Sequence, residues 1–181
     1  LTMIALVLFL QSAYSQPDTI WLCAVLLFLA LIYLWKYRAQ FSPVVWVMML
    51  ALVLYSWQMD SWRFSVIGDD YSFFGYARDI LMQQPLVDNL RNLFLGQAVY
   101  NAHPYFSSLI QAFFMKILGI TSFGWRFSSI FLASLSLVFF YQFFKRFLNT
   151  RIAFVTVILL AASQYLMGFS KIGYNNLQAL L

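Results

Sequence analysis

Two adjacent carboxylates, Asp69 and Asp70, stand between a long apolar stretch and a segment with helical periodicity. Neighbouring carboxylates repel one another and lose hydration beside apolar sequence, so the pair asks for a reason. Their oxygens can hold a hard divalent cation. One of them can instead take a proton from a hydroxyl. A plain structural role competes: Asp70 suits the N-cap of a helix over 71–83, with Asp69 favoured by the same helix dipole. A second candidate is His103, followed by Pro104 at the start of another periodic segment. An imidazole beside free backbone N–H groups suits a phosphate oxygen, although a solvated loop histidine is the simpler reading. Arg78, Arg91 and Arg126 carry the planar guanidinium that binds phosphate through two hydrogen bonds. Arg91 reads better as a headgroup anchor. Lys171, Tyr174, Asn175 and Asn176 cluster near the C-terminal end. Their amides and hydroxyl can contact a sugar, or merely cap a helix with polar groups.

The elements that must position these residues are apolar. The 181 residues are 63% hydrophobic and 9% charged. A soluble domain carries about a quarter charged residues. Aromatic residues make up 20%, with 20 Phe. That is more apolar surface than one water-soluble core hides, and the composition implies a bilayer as solvent. The single cysteine, Cys23, excludes an internal disulfide and a cysteine metal site. The net charge of +5 does not imply nucleic acid, because the basic residues flank apolar spans and form no stripe. The sequence begins and stops inside apolar runs, and the expectation is a piece of a longer protein, inactive by itself.

Five apolar segments are expected to span: 1–10 (incomplete), 19–35, 43–58, 127–144 and 152–169. Lys36 and Arg38 follow the second, and Lys145, Arg146 and Arg151 lie between the last two. The excess of Lys and Arg in cytoplasmic linkers places both groups inside. Residues 59–125 then lie outside, and the sixth apolar stretch, 105–118, does not cross. At 14 residues it reaches only about 21 Å, against about 30 Å of hydrocarbon. Ser107, Ser108 and Gln111 share one side of it; Phe106, Leu109, Phe113 and Ile117 share the other. Residues 71–83 divide in the same way. The expected fold is an all-α integral membrane protein with about five transmembrane helices. Two interfacial juxtamembrane helices lie in the first large outer loop, joined by a loop at 84–103. The sequence divides into N-terminal transmembrane helices (1–58), the outer loop with the Asp pair (59–125), and further transmembrane helices with the start of a second outer loop (126–181).

Three stretches together resemble the lipid-linked-sugar glycosyltransferases of the GT-C fold. The nearest branch is the family 39-like group of protein O-mannosyltransferases and aminoarabinose transferases. IGDDYSFFGYARDIL resembles that branch's acidic pair followed by Ala-Arg. NAHPYFSSLIQAFFMKILGITSFGWRFSSIF resembles its His-Pro, a helix ending at Leu-Gly, then Arg and a small-residue span. FSKIGYNN stands where the family has its second outer loop. The resemblance covers about residues 60–178. It implies transfer of a sugar from a polyprenyl-phosphate-linked donor to an acceptor glycan, lipid or protein. The reaction would take place on the outer face of the plasma (inner) membrane. It makes Asp69 or Asp70 the catalytic carboxylate and puts Arg78 and His103 near the donor phosphate. Arg126, Lys171, Tyr174 and Asn175 join them as substrate contacts. It makes no cofactor certain; a divalent metal ion is the candidate, with Asp69 and Asp70 as its ligands. The chain departs from the pattern in having Asn175 and Asn176 where several relatives carry an acid, and Tyr105 where the family has a second Pro. A transporter or lipid-handling subunit is the rival class, as is a glycosyltransferase relative that only binds lipid. A transporter asks for polar residues inside the spans, which hold little beyond Ser, Thr and Gln.

Overall fold

A computed structural model of the protein describes residues 2–15, 19–59, 69–83, 86–95 and 105–173. Among these residues the regular structure is helical. The first two helices, α1 (Thr2–Ser15) and α2 (Ile20–Lys36), form an antiparallel hairpin. Across it the Ser12 and Thr19 hydroxyls lie 2.8 Å apart. Helix α3 (Pro43–Ser56) starts with Pro at its first position, where no backbone donor is missed. After α4 (Asp69–Gln83), α5 (Leu86–Leu95) and α6 (Tyr105–Leu118) comes α7 (Ser122–Phe144), the longest at 23 residues. The chain then forms α8 (Thr150–Ala161) and α9 (Gln164–Ile172).

Helix α7 is the axis of the fold. It packs against α3, α6, α8 and α9, and more lightly against α1 and α4. Its buried face alternates large and small residues, with Phe127, Ile130 and Leu137 beside Ser128, Ser134 and Ser136. Ser128 and Ser136 return their hydroxyls to the carbonyls of Trp125 and Ala133, three residues back, at 2.7 Å each. Those two polar side chains are therefore satisfied inside their own helix and line no pathway. Gly124 sets the approach of α6. A Cβ there would strike the Gly119 carbonyl oxygen and come within 3.3 Å of the Met115 Cα.

By length and composition α7 can cross a membrane alone, and α8 and α9, bent by 50° at their break, are long and apolar enough only as a pair. Helices α1, α2, α3 and α6 are shorter apolar helices. Trp21, Phe28 and Leu29 on α2 are exposed in the isolated chain, as suits side chains whose solvent is lipid.

The structure differs from the sequence expectations in four places. The segment 152–169 is not one straight span. The helix stops at Ala161, and Ser163 starts the next by accepting the Leu166 N–H on its Oγ at 3.3 Å. The carbonyl of Ala161 accepts the Tyr55 hydroxyl at 2.7 Å. Second, the loop expected at 84–103 contains α5. Its sequence repeats leucine at helical spacing, and Asp88 lies in the first turn. Third, α4 begins at Asp69 rather than at residue 71. Fourth, the polar side of α6 is turned inward. Ser107, Ser108 and Gln111 are buried, whereas Phe106, Phe113 and Ile117 are exposed. A helix at an apolar surface gains by exactly this inversion of the soluble pattern, because lipid solvates its phenylalanines and the protein pairs its amide.

Candidate functional site

One end of the bundle gathers the polar side chains. Helix α3 ends at Ser56, and the chain turns through Trp57 and Gln58 to Met59. Gln58 has φ +50°, a left-handed conformation that a side-chain-bearing residue adopts only under constraint. Two cations provide that constraint. Lys171, at the last turn of α9, donates from Nζ to the Trp57 carbonyl at 2.7 Å. Arg126, in the second turn of α7, donates from Nη1 to the Met59 carbonyl at 2.6 Å. Both carbonyls lie just past the C-terminus of α3, where free acceptors and the helix dipole favour positive charge. Lys171 is only 6% exposed and Arg126 half-buried.

Beside this clamp, Gly173 closes α9 in the left-handed conformation, at φ +76°. Its Cα lies against the Trp125 ring so closely that a Cβ would sit 3.0 Å from two ring carbons. The Gly173 carbonyl accepts the Gln111 amide at 2.8 Å. Helix α6 thus lies across the same end. Its Gln111 meets the end of α9, and its Leu118 carbonyl accepts the Gln11 amide of α1 at 2.9 Å.

Helix α4 completes the arrangement. Phe73 and Ala77 are buried against Ala112 and Met115 of α6 and Trp125 of α7, and Phe74 meets the Trp125 ring edge-on at 5.7 Å. Asp69 and Asp70 occupy the first turn of this helix, with Asp69 one turn before Phe73. Arg78 is exposed, and its Nη2 pairs with Asp79 Oδ1 at 3.1 Å. The structure therefore brings Arg126 and Lys171 together on one backbone turn, puts the Asp-bearing helix on the adjoining Trp125, and leaves Arg78 engaged with its neighbour. His103, Tyr174, Asn175 and Asn176 lie outside the described residues. Burial pushes the Tyr105 phenol at the start of α6 up from its ordinary value. Among the described residues no three His, Cys, Asp or Glu side chains gather as a metal site.

Residues 102–181 match the sequence model of a family described as dolichyl-phosphate-mannose-protein mannosyltransferase. Over these residues the chain is similar to that family, whose mannosyltransferases are of the GT-C type. No curated protein and no solved structure matches the chain. The matched segment contains α6 to α9, and with them Gln111, Trp125, Arg126, Lys171 and Gly173. The Asp pair precedes the segment, but α4 packs directly on it. Sequence reasoning placed Gln111 on a polar helix face and missed what it bonds. Neither Trp125 nor the strained Gln58 was singled out. The one available signal was a tryptophan immediately before Arg126, since backbone carbonyl acceptors leave no trace in side-chain types.

Proposed function

We propose that the protein transfers a sugar from a polyprenyl-phosphate-linked donor to an acceptor hydroxyl on the outer face of the plasma membrane. One carboxylate of Asp69 and Asp70 takes the acceptor proton as the acceptor oxygen bonds to the anomeric carbon. The bond from that carbon to the phosphate oxygen breaks, and its electron pair leaves with the polyprenyl phosphate. Positive charge from Arg126 and Lys171, with Arg78 and His103, stabilises the departing phosphate. Tyr174 and Asn175 contact the sugar. Arg126 and Lys171 also hold the turn after α3, so they act through position as well as charge.

The observation that carries this reading is the packing of α4 on α6 and Trp125, which joins the Asp-bearing helix to the cationic end of the family-matched segment. No observation favours the transporter reading. The test uses the full-length protein in proteoliposomes with a panel of polyprenyl-phosphate sugars. Release of free polyprenyl phosphate together with a glycosylated acceptor is expected. A full chain that binds these lipids but never releases polyprenyl phosphate contradicts the proposal.

A further inference from the structure

The Trp125 ring lies where α4, α6, α7 and the end of α9 meet, and it is only 3% exposed. That burial leaves no ring face for a sugar to stack on. Its neighbours define a different role. A Cβ added at Gly173 would have its three nearest atoms, at 3.0 to 3.2 Å, all on this ring, which would have to give by a few tenths of an ångström. The Gly173 carbonyl is held by the buried Gln111 amide at 2.8 Å, so the residue is not free to back away. From α4, Phe74 meets the same ring at 5.7 Å and 78°, and Phe73 and Ala77 pack with it. Phe73 and Phe74 each follow a carboxylate of the pair by four residues, about one helical turn. Close-packed groups pass a displacement on rather than absorb it.

We propose that Trp125 is a positioning residue, which sets the turn of α4 that carries Asp69 and Asp70 against the end of α9. Gly173 stands at that end because a side chain there would displace the ring on which α4 rests. The inference depends on the transfer reaction proposed above, and adds to it a residue that works through a helix and touches no substrate.

The test uses the full-length protein in proteoliposomes and has two readouts. The first needs no activity: Phe74 is replaced by 4-fluorophenylalanine and its fluorine resonance is followed. Gly173→Ala is expected to move that resonance, because the added methyl displaces the ring between the two positions. Leu137→Ala, a buried change roughly 18 Å further along α7, should leave it in place. An unmoved resonance in Gly173→Ala overturns the proposal. The second readout is kcat for release of polyprenyl phosphate, per folded molecule and below every melting temperature. Gly173→Ala and Trp125→Phe should each lower kcat about tenfold by misplacing the carboxylates. Phe lacks the outer ring carbons that the Gly173 Cβ would meet. The double variant should therefore recover at least about threefold over the slower single one. Leu137→Ala, destabilised but remote, should keep kcat within about twofold. Losses in Leu137→Ala as large as in the two single variants, with no recovery in the double, make Trp125 merely structural and overturn the proposal. A wild-type chain that transfers no sugar sinks the transfer reading and the positioning role together, and a fluorine shift that persists tells that failure from a failure of the contact.

Discussion

The two ends of the α3–α7 bundle use the same residue types in opposite ways. At one end Lys36, Arg38, Lys145, Arg146 and Arg151 are all exposed. Their contacts are local: Arg38 lies over Trp35 at 4.5 Å and Lys145 over Tyr141 at 5.4 Å. At the other end Lys171 and Arg126 reach across the fold to the carbonyls of Trp57 and Met59, 114 and 67 residues away in sequence. The first set keeps its hydration and its cost is small. The second loses hydration and is held by acceptors that the end of α3 leaves free. Exposed cations can be exchanged for one another and set orientation by number. Buried cations fix a geometry, and here the geometry is a strained turn beside the helix that carries two carboxylates.

The largest expected effect breaks this comparison at its chemical end. In the first turn of α4 an Asn in place of Asp forgoes only the helix-dipole contribution of about 0.3–1 kcal/mol, but it cannot take a proton. Asp69→Asn or Asp70→Asn in the full-length protein should therefore leave expression normal and lower sugar transfer about 100- to 10,000-fold for the residue that acts as base. Losses of only a few-fold in both variants would make the pair structural. Next come the residues that hold the clamp. Lys171→Met leaves the Trp57 carbonyl without its charged donor, at a cost of about 1–3 kcal/mol. Gly173→Ala imposes a left-handed alanine against the Trp125 ring, at a cost of about 1–3 kcal/mol. Either should lower the melting temperature in detergent by several degrees. An unchanged melting temperature in both would mean that this end is not clamped. The smallest effect belongs to the other end. Arg38→Ala and Lys145→Ala should each shift stability by less than about 0.5 kcal/mol. A melting temperature as low as that of Lys171→Met would erase the contrast.

Much of the architecture was legible because apolar runs are long and their ends are marked. Pro43, Thr121 and Asn149 stand where α3, α7 and α8 begin. The break at Ala161 was hidden because Ala161 and Ala162 continue the apolar run, and a serine cap inside it reads like any small residue. Helix α5 is hard to see in the sequence because Pro85 and Gly96 on its flanks read as turn residues, although a proline can stand immediately before a helix and the leucines between them repeat at helical spacing. The cations of the site were legible as types. Their partners were not, because Lys171 and Arg126 bind main-chain oxygens whose positions depend on the turn at Gln58. The inward polar side of α6 was visible as a pattern, but its direction depends on the solvent outside.

The contrast between the ends has one direct consequence in a living cell. The clamped end, with the carboxylates, should face outward, and the exposed basic end should face the cytoplasm. The measurement is labelling of single cysteines by a membrane-impermeant maleimide in intact cells, in the full-length protein carrying Cys23→Ser. Ile120→Cys lies in the turn that leads into α7, near the clamp, and Thr150→Cys lies at the start of α8; both positions are exposed. The account predicts that residue 120 is labelled in intact cells and that residue 150 is labelled only after the membrane is opened. Labelling at 150 with protection at 120 would put the Asp-bearing end in the cytoplasm and contradict transfer on the outer face.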